Sequence, residues 1–194
     1  MMAKTLIRPS PRRIVNFMTK RSFRRATFAL WLMCLSSVAW ADKYQDAIAG
    51  AFPGYQILSR PEFSQKIQEA VKSNPGLITG RFNDDELEDF AAIIRDDVKQ
   101  KAPTGEYYRG MIVVCHALDK EHDTCQALFE MPIFLPYALH LNRVGPGLVG
   151  CIEDDDKKTK VKIRRDAVGI ERRNTASVYI YQPGGSYLHC TTAD

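Results

Sequence analysis

Met111-Ile-Val-Val-Cys115 and Cys125-Gln-Ala-Leu-Phe129 are apolar runs on either side of a polar tip, Leu118-Asp-Lys-Glu-His-Asp123. Short β-branched and aromatic runs around a charged turn are the pattern of a β-hairpin. Its two cysteines bracket the tip, and directly opposed residues of an antiparallel pair stand close enough to be bridged.

Strand-like runs recur on both sides of this hairpin. Leu77–Phe82, Phe90–Arg95, Tyr107–Ala117 and Thr124–Met131 follow one another with polar turns between. Gly147–Ile152, Lys160–Arg164, Val168–Arg172, Ser177–Gln182 and Ser186–Thr191 continue the series. Asp154-Asp155-Asp156-Lys157-Lys158 and Pro183-Gly184-Gly185 read as hairpin turns. Met131-Pro-Ile-Phe-Leu-Pro-Tyr137 is apolar but broken by two prolines, which suits an edge segment or a covering loop.

Helical signals precede the strands. Tyr44, Ala47, Ile48 and Phe52 recur near helical spacing until Pro53-Gly54. Ser59-Arg60-Pro61-Glu62 is a capping-box sequence with proline in the first turn. Phe63, Ile67, Ala70 and Val71 then form a stripe that ends at Asn74-Pro75-Gly76. The expectation is an α+β domain: two short N-terminal helices, then a mostly antiparallel β-sheet, disulfide-stabilised.

Charge is unevenly placed. The chain has 194 residues with 27 Lys+Arg and 23 Asp+Glu. Residues 1–41 carry eight of the basic residues and no acid, so 42–194 holds 19 basic against 23 acidic residues. A net charge of −4 over that stretch argues against nucleic acid as a partner. Ala26–Val38 is an apolar run that follows Lys20, Arg21, Arg24 and Arg25 and precedes Ala39-Trp40-Ala41. A basic region, a short apolar core and a small-x-small site make a secretory signal peptide over residues 1–41. Met18–Ala41 alone has the proportions of one, so Met18 is an alternative start. A run of that length falls short of the bilayer core, so no integral membrane anchor is expected after cleavage. Residues 42–194 then form a single domain, periplasmic or secreted.

Without Cys34 four cysteines remain: Cys115, Cys125, Cys151 and Cys190. Three pairings are possible, and an even count in an exported domain reads as two disulfides. The hairpin favours Cys115–Cys125, leaving Cys151–Cys190 to fasten the end of the chain to an earlier strand.

Gly80-Arg81-Phe82-Asn83-Asp84-Asp85-Glu86-Leu87-Glu88-Asp89-Phe90-Ala91 resembles the calcium loop of FG-GAP (VCBS-type) repeats, which run approximately GDFNGDGxxDFA. The resemblance puts Asn83, Asp85 and Asp89 on metal-ligand positions, with the Leu87 carbonyl between, because calcium takes several oxygen donors around a turn. Arg81 stands where the first ligand aspartate belongs. Its guanidinium can occupy the metal's place by pairing with Asp85 and Asp89. The tail from Ala167 to Asp194 resembles the end of small exported bacterial proteins of uncharacterised function that carry one such loop. That likeness implies a β-rich fold and an envelope location, and no known activity.

No G-x-S-x-G elbow, HExxH, P-loop or GxGxxG occurs. Cys115, His116, His122 and Cys125 offer a zinc or copper donor set, but adjacent residues of a strand point to opposite faces. The leading expectation is a non-catalytic binding module, an inhibitor or immunity-type partner of another envelope protein. Its contact regions would be Asp84–Asp89, Asp119–Asp123 and Pro132–Tyr137. The alternatives are a metal-binding envelope protein, with calcium at the acidic loop or zinc or copper at the Cys/His hairpin, and a structural envelope protein.

Overall fold

A computed structural model describes residues 43–117, 123–152, 158–172 and 175–192. Of these residues 61% are strand and 13% helix, and only one helix reaches seven residues. The class is therefore β, not α+β. The first helix, α1, covers 43–51. The second, α2, is only Gln65–Ala70, because the capping box closes a separate 3-10 turn, Arg60–Glu62. Glu62 Oε2 accepts the Ser59 N–H at 2.7 Å and the Ser59 hydroxyl at 2.9 Å. Phe63 then leaves helical geometry to bridge Tyr137. The apolar stripe is real, but tertiary pairing interrupts the helix it suggests.

Eleven strands form two sheets among the described residues. Sheet one has the order β1-β3-β4-β5, with β2 also on β3. These are β1 (Tyr55–Ile57), β2 (Leu77–Gly80), β3 (Asp89–Ala102), β4 (Gly105–Ala117) and β5 (Asp123–Ile133). Sheet two has the order β6-β9-β10-β11-β7-β8. Its strands are β6 (Leu139–Val144), β7 (Gly147–Ile152), β8 (Lys158–Ile163), β9 (Ala167–Arg172), β10 (Thr175–Tyr181) and β11 (Tyr187–Thr192). The ladders within both sheets are antiparallel.

The period-2 alternation of β3 and β4 divides their side chains between two cores. Ala91, Ile93, Ile112 and Val114 face sheet two, where Leu141, Val168, Ile170 and Tyr179 meet them. Phe90, Ala92, Ile94, Met111 and Val113 face the other way and are covered by Tyr44 and Ile48 of α1. A third cluster joins Val144, Val149, Val161, Ile163, Ala167, Val178 and Cys190, drawing on all six strands of sheet two. That sheet is therefore curled around its own apolar face.

Both disulfides follow the expected pairing. Cys115 and Cys125 are register partners on β4 and β5 with Cα atoms 3.9 Å apart. Cys151–Cys190 ties β7 to β11 with Cα atoms 5.2 Å apart. On the chain-entropy account, loops of these lengths give about 3 and about 4 kcal/mol.

One irregularity lies in the β3–β4 ladder. Arg95 pairs with Gly110 and Lys99 with Tyr108, so Asp96, Asp97 and Val98 of β3 stand opposite Arg109 alone. Such a bulge re-aims side chains. Gly110 is required beside it, because a Cβ there would lie 2.2 Å from Ile133 Cδ1 and 2.8 Å from the Ile94 carbonyl oxygen.

Candidate functional site

The acidic loop between β2 and β3 satisfies its own polar groups. Asp89 is buried, and its Oδ2 accepts the N–H of Phe82 at 2.7 Å and of Asn83 at 3.2 Å. Its Oδ1 accepts the Ala117 N–H at 3.3 Å. Asn83 Nδ2 donates to Asp85 Oδ2 at 2.7 Å, while Asn83 Oδ1 accepts the Asp85 N–H at 3.0 Å. Asp85 Oδ1 takes the Leu87 N–H at 2.8 Å. The oxygens of all three expected ligands are thus already engaged with the loop and β4. Among the described residues no three His, Cys, Asp or Glu side chains converge in a way that could hold a metal ion.

Arg81 does not pair with Asp85 or Asp89. Its Nη1 donates to Glu86 Oε2 at 2.7 Å, on the exposed side of the loop. Asp89 is committed to backbone donors, and Asp85 to Asn83 and Leu87. Arg165, between β8 and β9, binds the other Glu86 oxygen at 3.1 Å and the Asp84 carbonyl at 3.3 Å. Asp166 Oδ2 accepts the Arg81 N–H at 3.0 Å. Glu86, the Asp84 carbonyl and the Arg81 N–H thus fasten this loop of sheet one to the β8–β9 turn of sheet two.

Behind the loop, His116 Nδ1 lies 3.3 Å from Asp89 Oδ2 without the alignment of a hydrogen bond. Its Nε2 is 3.0 Å from the Tyr187 hydroxyl, and the two rings stack with centroids 6.0 Å apart. Burial, then the negative charge of Asp89, pushes the Tyr187 phenol up. The neutral hydroxyl is thereby favoured, and it ties sheet two to β4 through His116. The Cys/His hairpin is resolved by its disulfide, since Cys115 and Cys125 have no free thiolate. His122 and the tip at 119–122 lie outside the described residues, as does the signal-peptide segment.

The Pro132–Tyr137 region has a different character. Pro132 sits in β5, an edge strand that runs to Ile133, and the chain then loops over to Tyr137. Tyr137 is anchored: its N–H donates to the Glu62 carbonyl and its carbonyl accepts the Ser64 N–H, both at 2.8 Å. Its phenol, desolvated in the core, is pushed up to about 12. Between these anchors Phe129, Phe134 and Leu135 remain 50%, 39% and 39% exposed. A groove of about 400 Å³ runs on one side, lined by Phe129, Met131, Phe134, Pro136 and Leu139. A second, of about 570 Å³, shares Met131, Pro132 and Phe134 and extends to Tyr55, Tyr107, Arg109 and Glu130. Tyr107 and Phe134 pack there with ring centroids 5.7 Å apart. The outer edge of β5 makes no backbone hydrogen bond among the described residues.

Arg109, opposite the start of the bulge, lines the larger groove. Its Nε donates to Asp96 Oδ2 at 2.8 Å, and that hydrogen bond and charge raise the guanidinium's pKa. Nothing in the sequence pointed to this pair, because the Asp96-Asp97 dipeptide reads as the polar end of a strand. By the two-residue alternation Asp96 shares the face of Phe90, Ala92 and Ile94, and Arg109 that of Met111 and Val113, so the pair continues the regular register up to the bulge.

No protein-family model, curated protein or solved structure matches the chain. Among the described residues no helix is long and apolar enough to cross a membrane.

Proposed function

We propose that this protein is an exported, non-catalytic binding module that recognises another envelope protein through the face built by Phe129–Tyr137. One observation carries the reading. Phe129 and Phe134 stay partly exposed along one groove, and Leu135 follows them in the chain, on a segment pinned at both ends and flanked by two grooves. Large apolar groups clustered on a rigid frame lose little entropy on binding and mark interaction sites. The free edge of β5 adds unpaired main-chain donors and acceptors beside them. Two disulfides support an oxidising compartment. An inhibitor or immunity-type role suits such a face, since either acts by occupying a partner's surface.

The test is affinity capture from envelope extract with the parent protein and with Phe129→Ser and Phe134→Ser. The reading predicts one partner recovered by the parent and lost from both variants at unchanged melting temperature. Recovery that is identical for parent and variants would count against it.

A further inference from the structure

The larger groove is not uniformly apolar, and the oriented guanidinium at its rim says what part of a partner enters it. Arg109 is 64% exposed, while the Asp96 side chain that holds it is 6% exposed. Only Nε of the guanidinium is engaged; neither terminal nitrogen makes a hydrogen bond among the described residues. An arginine fixed through Nε by a buried carboxylate has its planar fork oriented in advance, with the pair of Nη donors left for a second carboxylate. Tyr55, Tyr107 and Phe134 line the same groove and would partly shield such a contact from water. Glu130 also lines it, exposed and without an ion pair among the described residues.

We infer that this groove receives an acidic side chain, an aspartate or glutamate, of the partner protein's docking segment, and that Arg109 is the residue that recognises it. The inference rests on the Phe129–Tyr137 reading and specifies its partner. Selectivity follows from the geometry. A bidentate carboxylate replaces the water on both Nη groups, whereas an amide presents one acceptor and two donors that the fork cannot use. Glu130 works against any anion, so it limits affinity. Arg109 pre-orientation through Asp96 offsets that cost by reducing what must be ordered on binding.

The experiment uses the disulfide-bonded protein and two blocked peptides of alternating phenylalanine and glutamate, or phenylalanine and glutamine. Binding is followed by the NMR signals of the Arg109 side chain, Tyr107, Phe129 and Phe134. The expected result is that the glutamate peptide binds at least about tenfold more tightly than the glutamine peptide. It should also shift the Arg109 signals. Arg109→Gln should erase that preference. Because losing Arg109 leaves Asp96 unpaired, Glu130→Gln provides a variant with no folding penalty. It should strengthen the glutamate peptide by about threefold or more and leave the glutamine peptide unchanged. Equal binding of the two peptides, with shifts at Phe129 and Phe134, would overturn the carboxylate assignment while leaving the binding face intact. An absence of shifts on this face from either peptide would overturn both.

Discussion

The carboxylate of Asp96 accepts the Arg109 Nε–H at 2.8 Å through Oδ2, while its buried Oδ1 has no hydrogen-bond partner. A buried carboxylate with a single charged donor depends on that donor, since an unpaired buried charge costs more than a lost pair. Arg109→Ala should therefore lower the urea midpoint more than the double variant Asp96→Asn/Arg109→Ala. A double variant that is less stable than Arg109→Ala would contradict the dependence.

The hydrogen bonds of the acidic loop between β2 and β3 make an unequal prediction for its acids. Asp89 accepts three backbone N–H groups from inside the fold, and Asp85 closes a local turn. Asp89→Ala should cost about 3 kcal/mol or more, because it orphans buried donors. Asp85→Ala should cost about 1 kcal/mol. Urea unfolding distinguishes them, and equal costs would show that the loop is not organised around Asp89.

The two disulfides close loops of different length, with separations of 10 and 39 residues. Paired Cys→Ser replacement should cost about 3 kcal/mol at Cys115/Cys125 and about 4 kcal/mol at Cys151/Cys190. Loss of the longer bridge should also loosen β7 and β8, since β7 meets β11 at one register pair besides the bridge. Hydrogen exchange confined to those strands would show it.

Alkaline stability follows from Tyr137. Burial raises its phenol to about 12 in the folded chain, above the ordinary value of 10.0. The raised value favours the neutral form, so its contribution is complete below about pH 10 and is lost as pH rises towards 12. The loss should reach about 2 kcal/mol, and Tyr137→Phe should flatten that part of the stability profile. An unchanged slope in the variant would contradict the assignment.

Much of the architecture was legible because strand formation is written locally. The alternation in Tyr107–Ala117 and the cysteines around the hairpin tip determined one ladder and its bridge. Two strands were not legible. β1 is three residues long, and β6, Leu139-His-Leu-Asn-Arg-Val144, mixes polar residues into a segment that follows two prolines. The helical expectation failed for α2 because Phe63 is recruited by Tyr137, a contact remote in sequence. The acidic loop drew attention through its composition, yet Asp89 points inward, Asp85 closes a local turn and Glu86 meets Arg165 of the other sheet. The Pro132–Tyr137 segment was visible as apolar and proline-broken. Arg109 was not visible, since its partner Asp96 is on the neighbouring strand and only the register of β3 on β4 brings the two together.

The most direct measurement places a photo-crosslinking amino acid at position 134, with position 148 as control, in cells that make the protein. Leu148 is 69% exposed, on β7 of the other sheet, and is not among the groove-lining residues, so it reports non-specific proximity. The account predicts a discrete adduct with one envelope protein from position 134, absent from position 148 and weakened by Arg109→Gln. The same adducts from both positions, or none from position 134, would contradict it.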